Sequence, residues 1–106
     1  MSEIIKQPDS VTIKPQADVV ASSANEFRSE LKTLIDEGTS QVILDLSGVE
    51  MVDSVGLGVF IAAHNSLTQT GRVLTVCNAS NDIMTLFRTM RLDKHFTITM
   101  SQEVVS

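Results

Sequence analysis

The sequence predicts a single-domain α/β fold with the element order β-β-α-β-α-β-α-β and a mixed, mostly parallel sheet with helices packed against it. Three observations lead there. Two aliphatic runs, Val42 to Leu46 and Val73 to Cys77, are nearly continuous and read as strands covered on both faces. Each is followed by a stretch with helical character, and strands alternating with helices imply parallel neighbours joined by right-handed crossovers. The 106 residues, 42% of them hydrophobic, suffice for one core.

The elements follow in order. Ser2 to Gln7 and Val11 to Lys14 are β-rich, and Pro8-Asp9-Ser10 between them reads as a turn. They predict a hairpin whose second strand carries Val11 and Ile13 on one face. A first helix is expected to open on a capping box formed by Ser23 and Glu26, three residues apart. Phe27, Leu31, Leu34 and Ile35 then make one buried stripe, and Gly38 closes the helix in a left-handed conformation. After the strand Val42 to Leu46, the residues Ser47 to Val52 form a loop. A second helix runs from the Asp53 turn to Gln69 and ends at Gly71. Ser80 caps a third helix, with Asp82 in its first turn and Ile83, Leu86, Phe87 and Met90 on its apolar face. A last strand lies around Phe96 to Thr99. The tail, Met100 to Ser106, leaves room for one or two helical turns, so a C-terminal helix is short or absent. No repeat or low-complexity tract divides the chain, and residues 1–106 read as one domain.

Composition removes several classes of function. The formal charge is −5, the eight Lys and Arg are scattered, and the aromatic residues are four Phe with no Trp or Tyr. Nucleic-acid binding needs clustered cations and stacking rings, so it is not expected. The start, Met1-Ser2-Glu3-Ile4-Ile5-Lys6, lacks the pattern of a secretory signal, and the longest apolar run, Val59 to Ala63, is too short to span a bilayer. A single cysteine, Cys77, excludes an internal disulfide and fits a reducing compartment. A cytoplasmic protein that meets a protein partner is the expectation.

The turn Asp53-Ser54-Val55-Gly56-Leu57 breaks local rules. Gly56 and Gly58 both fall in the first turns of a predicted helix, at a cost of about 1 kcal/mol each relative to Ala in a helix interior. Such inconsistency marks functional or closely packed sites. Asp53 suits the N-cap, its carboxylate accepting an N–H from Val55 or Gly56, and Ser54 then takes the first helical position at the carboxyl rim of the sheet. A phosphate on Ser54 would bring a charge of about −1.5 to −2. The helix dipole favours that charge and the adjacent Asp53 opposes it by a similar amount, so the effect falls on a docked partner rather than on the fold. On local chemistry alone a plainer reading stands beside this one: an ordinary first-turn serine, with glycines that permit close packing.

Other constellations carry less. A nucleophile elbow needs Gly two residues before the serine, where Val52 stands, and His64 lies ten residues on along the same helix, about 15 Å away. Hydrolase chemistry is therefore not expected, and the chain reads as a non-enzyme. His64, His95 and Cys77 have no paired ligand spacing and predict no metal site. Met84 and Met90 read as core filler. Gly56-x-Gly58 lacks the lysine of a phosphate loop, and no cofactor is expected.

The stretch VILDLSGVEMVDSVGLGVF over residues 42–60 resembles the signature of STAS domains, and more narrowly that of bacterial anti-sigma factor antagonists, in which a strand leads to a D-S-[small]-G-L-G turn and a helix. The likeness continues through Gly71-Arg72-Val73, Val76-Cys77-Asn78 and Leu86-Phe87 to Leu92-Asp93-Lys94-His95-Phe96, covering about Val11 to Ile98. It implies a STAS-like fold and a partner-switching mechanism. Family members bind an anti-sigma factor that is also a serine kinase; the kinase phosphorylates the motif serine, which weakens binding, and a cognate serine phosphatase reverses this. Carried onto this chain, the phosphoacceptor is Ser54, and the partner surface comprises Asp18, Asp53, Ser54, Val55, Gly56 and Leu57. The chain departs from the pattern at Val55, where many members have a small polar residue. It departs again at Lys14-Pro15-Gln16-Ala17 in place of Gly-Glu-Leu, and in its short C-terminal tail. The resemblance also admits another role, a non-phosphorylated STAS subunit of a larger complex such as a phospholipid-transport ABC system. A small-ligand sensor is a third.

Overall fold

The computed structural model describes residues 2–92 and 97–99; side chains are described through residue 92. Among the described residues, eight elements follow in the expected order: β1 (Glu3–Lys6), β2 (Ser10–Lys14), α1 (Ala21–Asp36), β3 (Gln41–Asp45), α2 (Ser54–Thr68), β4 (Val73–Cys77), α3 (Asn81–Thr89) and β5 (Thr97–Thr99). The sheet has five strands in the order β1-β2-β3-β4-β5. β1 pairs with β2 antiparallel, and every later pair is parallel. The sheet is therefore mixed and mostly parallel, as expected. The tail Met100 to Ser106, on which the expectation of a short or absent C-terminal helix falls, lies outside the described residues.

The hairpin forms because Pro8 presets a turn and Gln7 N–H donates to the Ser10 carbonyl at 2.9 Å. Each later crossover advances one strand in the same direction, so right-handed connections put α1, α2 and α3 on the same face of the sheet. The core bears this out. Val11, Ile13, Val42, Leu44, Leu74 and Val76, alternate residues of the three central strands, pack with buried residues from all three helices. Phe27, Phe60 and Phe87, one from each helix, form an edge-to-face ladder with centroids 6.0 and 6.5 Å apart. With no Trp or Tyr available, this ladder supplies the bulky part of the core.

Two details differ from the sequence reading. Ser23 is not the N-cap of α1; the helix starts at Ala21 with Val20 as cap, and Ser23 sits in its first turn. Its hydroxyl accepts the Val20 N–H at 3.1 Å and donates to the Asp18 carbonyl at 2.8 Å. The earlier start is possible because the acceptor for the Ala21 N–H comes from Asp53, far along the chain. Met90 is 53% exposed, whereas Met84 is buried. Met90 is the C-cap of α3, and the helix ends there, with Arg91 beyond it turning left-handed at φ of 59°. The remaining caps stand as expected: Ser80 Oγ accepts the Ile83 N–H at 3.2 Å, and Gly38 adopts φ of +85° after α1.

Candidate functional site at the N-terminus of α2

The loop between β3 and α2 is pinned from below. Leu46, Val49 and Val52 are buried at intervals of three, while Glu50 and Met51 point outward. Gly48 has φ of +82°, a conformation that allows the chain to turn between the first two anchors. Leu46 N–H donates to the Cys77 carbonyl at 2.9 Å, tying the loop's root to β4.

Its far end is stitched to the segment preceding α1. Val19 and Val52 form a parallel bridge: Val19 N–H donates to the Met51 carbonyl at 3.1 Å, and Asp53 N–H donates to the Val19 carbonyl at 3.3 Å. Asp18 Oδ1 accepts the N–H groups of Glu50 and Met51 at 3.0 and 3.1 Å. Asp53 then closes the arrangement. Its Oδ1 accepts the Gly56 N–H at 2.9 Å, capping α2, and its Oδ2 accepts the Ala21 N–H at 2.9 Å, capping α1. One carboxylate thus answers two helix N-termini, where unpaired donors and the positive dipole end both favour an anion. The N–H groups of Gly56 and Ala21 hold the Asp53 carboxyl below its ordinary range.

The residues expected at the partner surface all lie in or against this turn. Ser54 is the first residue of α2 and is exposed; Val55 beside it is 43% exposed. Asp18 and Asp53 lie at the same end of the molecule, with carboxylates turned into the backbone. Gly56 and Leu57 are buried and shape the turn from within. A Cβ on Gly56 would overlap the Val19 carbonyl oxygen and lie 2.8 Å from its carbon, so this glycine is the contact that lets α2 abut the Val19 segment. Gln16, within the stretch that departs from the family pattern, has φ of 64° and reaches Glu3 Oε1 with its amide at 3.4 Å.

Sequence reasoning passed over Met51, 59% exposed and adjacent to the turn. An apolar residue between two buried valines in a loop was the available signal. It also passed over Asp45, at the carboxyl end of β3 and only 3% exposed. Burial alone would push the Asp45 carboxyl up. Bonds from Ser47 N–H, Asn78 Nδ2 and Ser47 Oγ, with Lys14 nearby, outweigh that and bring it below the ordinary range. Asp45 therefore ties the exits of β3 and β4 together. In register beside it, Cys77 is buried and its thiol is pushed up to about 11, first by burial and then by the Asp45 charge. Among the described residues no group of three or more His, Cys, Asp or Glu is placed to hold a metal ion, and no helix is long and apolar enough to cross a membrane.

A strand, a pinned loop and a serine opening the next helix, on a sheet of this topology, match a known family. The family model described as "STAS domain" matches residues 2–105. The chain belongs to the STAS domain family. Among its STAS relatives, the anti-sigma-B factor antagonist of Staphylococcus epidermidis is 29% identical over 85 residues, which span 80% of this chain and 79% of the relative. The fold is that of the Thermotoga maritima protein TM1081, with a TM-score of 0.93, 20% identity, and coverage of 98% of this chain and 90% of that one. It is also that of the Bacillus cell fate determinant SpoIIAA in its phosphorylated form, with a TM-score of 0.76, 16% identity, and coverage of 99% and 96%.

Proposed function

We propose that this STAS domain, one domain over the whole chain, is an anti-sigma factor antagonist that acts by binding rather than by catalysis. Its partner is an anti-sigma factor serine kinase, and the interaction is switched off by phosphorylation of Ser54 and restored by a serine phosphatase. The observation that carries the reading is the exposed Ser54 hydroxyl at the start of α2, on a backbone held by Asp18, Asp53 and the Val19–Val52 bridge. Names of relatives, among them the Staphylococcus epidermidis antagonist, support the same reading.

The physical logic is a contrast of charge states at one surface. Unmodified, the turn offers a small hydroxyl between Met51 and Val55, two exposed apolar side chains suited to a protein interface. Asp53 adds little net demand for solvent, because its oxygens already accept two backbone donors. In the transfer, Ser54 Oγ forms a bond to the γ-phosphorus of ATP, the bond from that phosphorus to ADP breaks, and the hydroxyl proton passes to a base of the kinase. The product carries about −1.5 to −2 charge where the partner must exclude water. Asp53 already takes the Gly56 and Ala21 N–H groups and repels a second anion beside it, so the phosphate carries a charge that must be desolvated on docking.

The test is to incubate the chain with the anti-sigma factor serine kinase and ATP and to map the product by mass spectrometry. Modification at Ser54, loss of binding in Ser54→Asp, and retained binding with no modification in Ser54→Ala are expected. A kinase that is active yet leaves Ser54 untouched, or binding indifferent to Ser54→Asp, would overturn the switch and point to a permanent docking contact.

A further inference from the structure

Among the described residues, nothing requires a glycine at position 58. It lies within α2, has no left-handed φ, is exposed, and a Cβ built on it meets nothing within 4 Å. A glycine in a helix interior is destabilising relative to Ala, because it loses more backbone freedom on folding. At Gly56 the crowding against Val19 explains the glycine; at Gly58 no contact within the described chain does. Among the described residues nothing offsets its cost.

Ser54 and Gly58 are i and i+4 on α2, hence on one face and about 6 Å apart along the axis. A kinase must bring the γ-phosphate of ATP to within about 3–3.5 Å of Ser54 Oγ for transfer. Any side chain at position 58 would project beside that approach, tilted back toward the N-terminus of the helix and so toward Ser54. We infer that Gly58 is a clearance residue: its bare backbone is the surface on which the serine kinase seats as it docks on Ser54. This rests on the proposed function and names a further contact of that same site.

The experiment measures two quantities for Gly58→Ala and Gly58→Gln against wild type: thermal stability, and affinity together with phosphorylation rate toward the purified anti-sigma factor serine kinase of the same organism. Ser29→Ala, an exposed position on α1, controls for helix propensity. Expected is a rise in Tm of about 4 °C for Gly58→Ala, with binding weakened at least tenfold and weakened further in Gly58→Gln. kcat/KM for Ser54 phosphorylation should fall with it, while Ser29→Ala leaves binding unchanged. Binding unaltered in both variants overturns the inference alone, as does a fall in Tm, which would show that the fold needs the glycine. A wild-type chain that neither binds the kinase nor is phosphorylated overturns the proposed function itself, and the inference with it.

Discussion

Gly56 and Gly58 stand two residues apart on the same helix and serve opposite masters. Gly56 faces inward, where the Val19 backbone leaves no room for a methyl group; Gly58 faces outward, where room is ample. The first is explained by packing inside the chain; for the second nothing among the described residues supplies a reason, and the proposed kinase contact does. The sequence shows two equivalent helix-breaking residues, and the difference between them is a matter of which backbone lies nearby.

Substitutions at and around this pair test the contrast, beginning with the largest effect. Gly56→Ala should destabilise the domain by about 3 kcal/mol, measured by urea denaturation, because the obstacle is backbone rather than a flexible side chain. A near-neutral result would mean that α2 can slide away from Val19 without loss, and the inward half of the comparison would fail. Ser23→Ala removes the acceptor for the Val20 N–H and should cost about 1 kcal/mol. Gly58→Ala should instead stabilise by about 0.5–1 kcal/mol, so the two alanine variants are expected to differ in sign.

Acid titration sharpens the same region. Asp45 and Asp53 both sit below the ordinary carboxylate value of 3.8 in the folded chain. The unfolded chain therefore binds more protons in this range, and the stability these groups provide is present above that value and lost as pH falls through the folded values. Tm should hold steady in mildly acidic buffer and decline below about pH 4. Asp53→Asn should flatten part of that decline; a profile identical to wild type would show that the double cap contributes nothing. The smallest expected effect is at Cys77. With its thiol pushed up to about 11 and its side chain buried, native protein should resist alkylation in mildly alkaline buffer and react only on unfolding.

Much of the fold is legible in the sequence because its signals are local. The alternation of strands and helices, the stripe Phe27–Leu31–Leu34–Ile35, the caps at Ser80 and Asp53, and the left-handed Gly38 each depend on residues within a turn or two of one another. The Ser23 capping box was misplaced for the converse reason: the Ala21 donor is satisfied by a carboxylate 32 positions away. Met90 looked like part of an apolar face because spacing does not reveal where the helix ends.

The candidate site divides along the same line. By itself the sequence determined that a helix begins at Asp53 with Ser54 in its first position, since a capping carboxylate and the donors it serves are neighbours in the chain. Tertiary structure alone decided that Asp53 also caps α1, that Asp18 holds the loop from the other side, and that of two glycines one is crowded and the other open. Those facts depend on two segments meeting in space, and contacts between distant segments leave no local periodicity or spacing to read.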